Sequence, residues 1–299
     1  MQDLKIATFI EVAQNLSFTK AAQNLCLTQP AVSQQIRALE AEYGCSLFTR
    51  CGKSIALTEA GKLLLSASLT MRSDEERLIA QMQGVSKRRQ IKFGATLTVS
   101  EFILKDALPE FIRRHSEDKI EIQVANTNKL LGMIDSAELD FCIVEGEFSR
   151  TDYDYHLFSV EEYVCAASPK KAAVIEGKKI CEILDNTLLV REKGSGTRAI
   201  LDATLKLQGL SCSQFANMVE VANISIIKSL VQAGLGITFI YKAAIQEEIS
   251  QGAIRQCMIK GFPLQHDIAF IYRKGSLFKN EYVELKEEIY TIWSNLERS

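Results

Sequence analysis

The N-terminal part of the chain is organised around one continuous stretch, residues 17–39, which read SFTKAAQNLCLTQPAVSQQIRAL. The first half predicts a short helix, and its small Ala21-Ala22 pair allows a second helix to approach closely. A tight turn follows. Thr28 then suits the N-cap of the next helix, and Pro30 lies in its first turn, where the missing N–H costs no hydrogen bond. Two short helices joined by a tight turn indicate a helix-turn-helix.

The flanking segments extend this motif on both sides. Residues 3–16 predict an amphipathic helix, because apolar side chains recur there every three or four positions. Downstream, residues 46–50 and 54–57 alternate in polarity around a turn at Gly52, which predicts a small hairpin, or wing. A helix-turn-helix pattern alone leaves open an ordinary three-helix domain with a solvated polar face. The wing, in register behind it, argues against that alternative.

The polar face of the helix after Thr28 carries side chains suited to reading DNA. Gln can bond adenine, Ser can bond either base of a pair, and Arg can bond guanine or phosphate. Such helices contact bases mainly through their N-terminal half. We therefore expect Gln29, Ser33 and Gln34 to reach bases, and Arg37 to reach the backbone or a guanine. The phosphate contacts expected at the hairpin tip are Arg50 and Lys53.

The run FIEVAQNLSFTKAAQNLCLTQPAVSQQIRALE, followed by LFTR and LTEAG, resembles the signature of LysR-type transcription regulators over residues 9–61. The resemblance implies an N-terminal winged helix-turn-helix, mainly α-helical, that binds double-stranded DNA. This DNA-binding domain is expected to occupy residues 1–58. The positions expected at the DNA are Thr19, Lys20, Thr28, Gln29, Pro30, Ser33, Gln34, Arg37, Arg50 and Lys53.

Residues 59–89 are predicted to form a linker helix that Thr58 caps, ending near Gly84, with a polar hinge at 86–89. By pattern alone this is an exposed helix that could take a partner, because Ser68 and Glu75 interrupt its apolar seam. The seam residues are Leu64, Met71, Leu78 and Met82. The resemblance implies dimerisation through this helix, pairing into tetramers, an interrupted dyad target in promoter DNA, and RNA polymerase as a further partner.

Residues 90–299 alternate between strand and helix patterns, which indicates an α/β unit. Helices are expected at 100–115, 129–137, 198–207, 224–233 and 281–293, and strands at 90–95, 119–125, 139–144, 188–190, 219–221, 236–240 and 266–272. The resemblance implies a periplasmic-binding-protein-like effector domain of two α/β subdomains joined by two crossover strands. Subdomain I would comprise 90–161 and 268–299, and subdomain II 162–267, with the effector between them.

Polar residues at strand-to-helix junctions predict where the effector binds. One group is Thr96, Thr98, Ser100, Asn126, Thr127 and Asn223. A second group lies in the run REKGSGTR, where backbone N–H groups freed by glycine, two hydroxyls and a helix N-terminus favour an anion: Gly194, Ser195, Gly196, Thr197 and Arg198. This run resembles the CysL- and CbbR-like subgroup, which implies a small anionic metabolite.

Each of these residues also has a simpler interpretation. Thr98, at capping-box spacing from Glu101, and Asn223 would then be ordinary helix caps. Residues 194–196 would be only a turn, and Arg198 would take part in a surface ion pair instead of a bidentate contact to an anion.

Composition limits the remaining function classes. The net charge is −2, with +3 on the first 89 residues and −5 on the rest, so any DNA-binding charge is local. The eight cysteines form no C-x-x-C motif and are interpreted as reduced core residues, with a redox-sensing pair as the alternative. No phosphate-binding loop, dinucleotide fingerprint or hydrolase elbow is present. We therefore expect no enzyme, catalytic residue, metal or cofactor.

Membrane association is not expected either. The chain begins without a signal peptide and contains no apolar run of about 18 residues, so we expect a cytoplasmic protein. A transport receptor would fit residues 90–299 taken alone. The missing signal peptide and the attached helix-turn-helix argue against that class.

Overall fold

The computed structural model describes residues 3–52, 54–82 and 89–297, which divide into two compact units. The first unit contains the described residues up to 82 together with Asp135–Ala137 and Lys274–Lys279, and the second contains the remainder. Lys53 and hinge residues 86–88, named above as predictions, lie outside the described residues.

The first unit consists of three helices, a two-stranded hairpin and a long helix: α1 (Leu4–Asn15), α2 (Phe18–Asn24), α3 (Gln29–Tyr43), β1 (Phe48–Cys51), β2 (Ser54–Leu57) and α4 (Glu59–Met82). The predicted caps are present. Ser17 accepts a hydrogen bond from the backbone N–H of Lys20, and Thr28 accepts one from that of Ala31. Gly44, in the left-handed region at φ 67°, ends α3.

One apolar core holds this unit together. Phe9 of α1, Ala21 of α2 and Val32 of α3 are all completely buried in it. Because Ala21 carries only a methyl group, the three helices approach closely, as the sequence predicts. Burial of this apolar area is the main term that stabilises the unit. Packing on this side leaves the polar face of α3 exposed.

The second unit is built on a nine-stranded mixed sheet with the order β4-β3-β5-β11-β6-β9-β7-β8, and β10 pairs with β6. Its strands are β3 (Gln90–Ala95), β4 (Lys119–Val124), β5 (Phe141–Glu145), β6 (Tyr153–Ala167), β7 (Thr187–Val190), β8 (Asn217–Glu220), β9 (Ile237–Tyr241), β10 (Arg255–Cys257) and β11 (Leu264–Arg273). Its helices are α5 (Ala107–Arg114), α6 (Thr127–Asp135), α7 (Pro169–Ile175), α8 (Gly196–Leu207), α9 (Ile224–Gln232), α10 (Gln246–Ser250) and α11 (Lys279–Glu297).

The sheet has two parallel halves joined by an antiparallel pair. Strands β3, β4 and β5 are parallel to one another and form the first half, while β7, β8 and β9 form the second. The long strands β6 and β11 pair antiparallel between them. The subdomain boundaries predicted at 161/162 and 267/268 fall within these two strands. The second unit therefore has a mixed α/β fold.

Several local predictions were wrong. The single helix expected over Ser100–His115 is divided into a π-helical turn at Val99–Ile103 and the separate helix α5. The N–H of Leu104 donates to the carbonyl of Val99, five residues back, and this wider turn buries both side chains. The periodicity also missed α7, α10 and β10, and did not locate β6. Among the described residues, no helix combines the length and apolar composition that crossing a membrane requires.

Candidate DNA-binding surface and effector site

The polar face of α3 is open to solvent, together with its neighbours on α2 and the hairpin. Most of the predicted DNA-contacting residues are exposed: Thr19, Lys20, Thr28, Gln29, Pro30, Gln34, Arg37 and Arg50. Ser33 is half-buried, and its hydroxyl accepts a hydrogen bond of 2.8 Å from the Gln29 amide. Because a base edge can replace this local partner, the Gln29–Ser33 pair holds both side chains at the surface without preventing DNA contact.

The hairpin is a regular antiparallel pair in which Phe48 faces Leu57 and Cys51 faces Ser54. Gly52 has φ 63° at the turn, a conformation that favours glycine. Arg50 is exposed beside this turn. The hairpin therefore presents a basic side chain near its tip, as a wing that contacts phosphate requires.

Helix α4 exposes part of its predicted apolar seam. Thr58 caps the helix by accepting from the N–H of Gly61, and Leu64 packs on the core of the first unit. Further along, Met71 is 66% exposed and Met82 is 76% exposed. A cavity of about 420 Å³ next to Met71 is lined by Ile6, Tyr43, Leu64, Ala67, Ser68, Met71 and Glu75. An exposed apolar stripe beside a groove is typical of a surface that takes a partner.

In the second unit, the carboxylate of Glu145 gathers hydroxyl groups from both halves of the sheet. It ends β5 and is 1% exposed. Thr96 donates to its Oε2, Thr98 to its Oε1 over 3.2 Å, and Thr197 of α8 to the same Oε1 over 3.2 Å. Thr127 donates to the backbone carbonyl of Glu145 over 2.8 Å. We call these five residues the Glu145 cluster. Four of them were predicted as effector residues.

Two glycines allow the cluster to close. A Cβ atom placed on Gly196 would lie 2.1 Å from the backbone oxygen of Glu145, and one on Gly146 would lie 2.5 Å from the Cα of Gly196. Both positions therefore need glycine because the backbones touch. Gly196 begins α8, so this approach brings the N-terminus of that helix against the end of β5. A helix N-terminus favours a nearby negative charge, and here the charge is that of Glu145.

Burial raises the pKa of the Glu145 carboxyl above its ordinary value, because the charged form loses its hydration. The hydrogen bond from Thr96 and the positive charge of Arg191 oppose this shift. The Tyr241 hydroxyl, also buried, has its pKa raised well above the usual range, first by burial and then by the charge of Glu145. The cluster is thus a region of little water and strong electrostatic interaction.

Two further polar groups beside α8 are buried without a hydrogen-bond partner among the described residues. One is the hydroxyl of Ser195, which is 2% exposed and does not cap its own helix. The other is Nη1 of Arg191, whose remaining nitrogens pair with the Glu192 carboxylate. An unpaired buried donor is costly, and a bound ligand can satisfy it.

Other predicted effector residues have partners of their own. Ser100 donates to the carbonyl of Leu97, and Asn223 caps α9 through the N–H of Ile226. Asn126 caps α6 through the N–H of Lys129 and also donates to Glu192. Gly194, at φ 92°, accepts a hydrogen bond from the N–H of Asn128. Of these four, Asn223 fits the simpler interpretation as a helix cap.

Arg198 is also engaged. Its Nε donates to both carboxylate oxygens of Asp202 over 3.0 Å, and its Nη1 donates to the carbonyl of Arg191 and lies 3.5 Å from Glu220. This arrangement favours the ion-pair interpretation. For Thr98, by contrast, the proposed capping box with Glu101 is wrong. Its hydroxyl makes no cap hydrogen bond because it donates to Glu145.

The sequence pattern missed Glu145 and did not give Arg191 a role. A signal was present, because Glu145 follows the wholly buried strand residues Phe141–Val144, and a carboxylate there must be satisfied by the protein. Two cavities meet at Glu147, next to this strand end. One of about 170 Å³ is lined by Thr127, Asn128, Glu147, Lys193, Gly194, Ser195, Gly196, Arg198, Ala199 and Asp202. The other, of about 470 Å³, is lined by Gly146, Glu147, Phe148, Arg150, Gln265, His266 and Asp267.

Comparison with known families agrees with both parts of this description. Residues 4–62 match the bacterial regulatory helix-turn-helix protein, lysR family, and residues 85–281 match the LysR substrate binding domain. The chain therefore belongs to the LysR family of transcriptional regulators. It is a DNA-binding transcription regulator with an effector-binding domain, and the proteins that it matches are regulators and not enzymes.

Individual proteins are similar to the whole chain or to its second part. The HTH-type transcriptional activator CmpR of Synechocystis is 32% identical over 271 residues, which cover 89% of this chain and 88% of CmpR. Full-length LysG of Corynebacterium glutamicum with bound effector Arg has a TM-score of 0.69 at 13% identity, with 99% of each chain covered. The Synechocystis CcmR regulatory domain in complex with 2-PG has a TM-score of 0.59 at 20% identity, covering 68% of this chain and 98% of that domain.

Proposed function

We propose that this regulator binds an interrupted dyad in promoter DNA as a dimer, and that a small anionic metabolite bound between the halves of its effector domain controls it. The observation that carries the effector assignment is the pair of buried, unpartnered donors, Ser195 Oγ and Arg191 Nη1, at the N-terminus of α8. Its place of action would be the cytoplasm, where promoter DNA and RNA polymerase are found.

The DNA half of the proposal rests on the exposed polar face of α3. Its Gln29, Gln34 and Arg37 side chains are exposed, as contact in a major groove requires, while Arg50 on the hairpin lies beside the turn. Two such surfaces related by a two-fold axis would require a target with dyad symmetry. Pairing of dimers into tetramers, and contact with RNA polymerase, belong to the same proposal.

Dimerisation is assigned to α4, whose Met71, Leu78 and Met82 side chains are exposed and apolar. Replacing Met71 by Lys would place a charge in the buried centre of such an interface. The protein should then dissociate at concentrations where wild type is dimeric, measured by analytical ultracentrifugation. Lys62→Glu, a charge change at an exposed position on the same helix, is the control. An unchanged mass for Met71→Lys would exclude this face.

The anionic character of the effector needs a separate argument, because the solved relatives differ: LysG is described with Arg, and CcmR with 2-PG. In this chain, the unpaired groups of Ser195 and Arg191 are both donors, and Arg191 is positive. Lys193 lines the adjoining cavity. Donors, a positive charge and a helix N-terminus together favour a carboxylate, sulfate or phosphate group.

The test is thermal unfolding of the full chain with sulfate, phosphate or phosphoglycolate, and with arginine as the cationic comparison. A ligand that binds only the folded state adds about 2.7 kcal/mol at one hundred times its Kd. We expect stabilisation by an anion, and a Kd about tenfold higher or more in Ser195→Ala, because a hydrogen bond to a charged group is removed. Ser229→Ala, whose hydroxyl donates to the backbone of its own helix α9 at an exposed position, is the matched control. Stabilisation by arginine alone would overturn the anionic assignment.

A further inference from the structure

Three of the hydroxyls predicted to hold the effector already share a partner, and this partner is part of the chain. Thr96 and Thr98, from the loop after β3, and Thr197, from α8, all donate to one carboxylate, that of Glu145. Each is at least 98% buried. An anion that used these hydroxyls would have to take them from Glu145. The inference that follows rests on the anionic effector proposed above.

The Glu145 carboxylate also lies at the N-terminus of α8, where a helix favours an anion. Its Cγ lies close to Gly196, the first residue of α8, since a Cβ on that glycine would be 2.8 Å from it. The dipole of a helix as long as α8 attracts negative charge to this end. In an ordinary anion site an external ligand receives this attraction, whereas here the side chain of Glu145 receives it.

The donors around this position exceed what Glu145 uses. The Ser195 hydroxyl and Nη1 of Arg191 are at least 95% buried, and neither has a partner among the described residues. Arg191 acts on the Glu145 carboxylate electrostatically, so its charge reaches this site. The site is therefore built for negative charge, and its resident carboxylate satisfies only part of it.

We infer that Glu145 determines the specificity and affinity of the effector site, because its carboxylate competes with the anionic group of the effector for Thr96, Thr98 and Thr197. The effector must either displace the Glu145 carboxylate from these hydroxyls or bind beside the negative charge of that carboxylate. A simple inorganic anion is thus disfavoured, and the site selects a metabolite with further groups that bind the adjoining cavities.

The charged and titratable groups that face Glu145 are few among the described residues. Arg191, from the loop after β7, is positive and is paired with Glu192. Tyr241, from β9, is buried and has a raised pKa. The loop after β3 and the first turn of α8 contribute neutral threonines. With the charge of Glu145 removed, that carboxylate no longer offsets the positive charge of Arg191 at this position.

The experiment measures sulfate binding to the full chain by isothermal titration calorimetry, because sulfate keeps its charge across the working pH range. Glu145→Gln preserves the shape of the side chain and removes its charge. We expect this variant to bind sulfate about tenfold more tightly than wild type, or better, at pH 8. Glu117→Gln, with the same charge change at an exposed position that lines neither cavity, is expected to match wild type.

The outcomes separate this inference from the proposed function. If wild type binds sulfate and Glu145→Gln binds it with equal or lower affinity, competition by Glu145 is overturned. The proposal of an anionic effector then still stands. Binding by Glu145→Gln with little or none by wild type supports competition. Absence of sulfate binding in both proteins, together with no stabilisation of wild type by any anion in the thermal test, contradicts the anionic effector, and with it the inference.

Thr197→Val provides a second test if Glu145→Gln does not fold, as judged by its circular dichroism. Valine keeps the shape of threonine and removes the hydroxyl that α8 donates to Glu145. If the Thr197 hydroxyl bonds the anion as well as Glu145, the affinity of Thr197→Val for sulfate should be about tenfold lower than that of wild type. Unchanged affinity would show that the anion does not use this hydroxyl, and would overturn the inference independently of Glu145.

Discussion

The Thr197 hydroxyl, in the first turn of α8, donates to the Glu145 carboxylate at the end of β5 over 3.2 Å, across 52 positions of sequence. This bond joins the two parallel halves of the effector-domain sheet at the carboxyl ends of their strands. Small molecules bind at such ends in open α/β sheets. Any effector that opens or closes the halves must therefore change this contact, and it can do so only if it binds the two arrangements with different affinity.

Gly196→Ala tests the close approach that this bond requires. The added Cβ would lie 2.1 Å from the backbone oxygen of Glu145, so the two backbones must separate. We expect a decrease of about 1–3 kcal/mol in the free energy of unfolding, measured in urea. Gly132→Ala is the control, because Gly132 lies within α6 and its added Cβ would meet no atom within 4 Å beyond its chain neighbours and the backbone of its own helix. That variant should be neutral or stabilised by up to about 1 kcal/mol.

Equal decreases in the two glycine variants would show that the approach at Gly196 is not tight. If Gly196→Ala kept both its stability and its stabilisation by the effector, the same conclusion would follow, namely that the two backbones do not touch at Gly196.

The pH dependence of stability should report the buried Glu145 carboxyl. Its pKa is raised in the folded protein from an ordinary value of 4.5, so the folded state binds the proton more tightly than the unfolded state. The resulting destabilisation is absent below pH 4.5 and grows as the pH rises through the raised folded pKa. Relative to Glu145→Gln, wild type should lose thermal stability as the pH increases from about 4.5 to 8. The expected sign would be contradicted if the difference in Tm between wild type and Glu145→Gln stayed constant as the pH rises, or if it changed in favour of wild type.

The recognition surface is tested by Ser33→Ala combined with Arg37→Ala. The double variant removes two polar groups from the open face of α3 without touching its buried side, where Val32 and Ile36 pack. We expect operator affinity to fall by about 1–3 kcal/mol for each side chain that no longer bonds a base, measured by gel shift on a fragment that wild type selects. Arg113→Ala, an exposed arginine of the effector domain, removes one positive charge as the control. Full affinity in the double variant would show that the recognition helix is misassigned.

Thiol reactivity separates the core interpretation of the cysteines from a redox sensor. Burial and the bond to Asp202 raise the pKa of Cys212 to about 12. Cys165 lies opposite Cys257, and their hydrogen bond and burial raise the pKa of Cys165 well above the usual range. Since the thiolate is the reactive form, these buried thiols should react slowly.

With Ellman's reagent at pH 8, in a Cys51→Ser background, we expect three fast thiols, those of Cys26, Cys45 and Cys181, which are exposed. The buried thiols should react only when the protein unfolds. Rapid modification of Cys165 or Cys257 in the folded protein, or a disulfide between them after mild peroxide treatment, would favour the redox alternative.

The sequence by itself determined the DNA-binding unit, because its determinants are local. Helix caps, the Ala21-Ala22 pair, Pro30 in the first turn of α3 and the Gly52 turn all act within a few residues, and the structure shows the predicted elements. The strand–helix alternation of the second unit could be predicted for the same reason. Its long crossover strand β6 could not, since its first part is partly exposed and its last five residues are all buried, so its polarity has no single period.

Only the tertiary structure decided the composition of the effector site. Local pattern placed Thr96, Thr98 and Thr197 at strand-to-helix junctions, but it could not bring Glu145 to them, since the partners are 47 to 52 positions apart. They meet only through the pairing of β3 with β5 and the packing of α8 against the end of β5. Arg198 forms ion pairs with Asp202, one turn further along α8, and with Glu220 of β8, although its position in the motif suggested an anion ligand. Sequence specifies which groups a strand end carries, and the order of strands in the sheet specifies which of them meet.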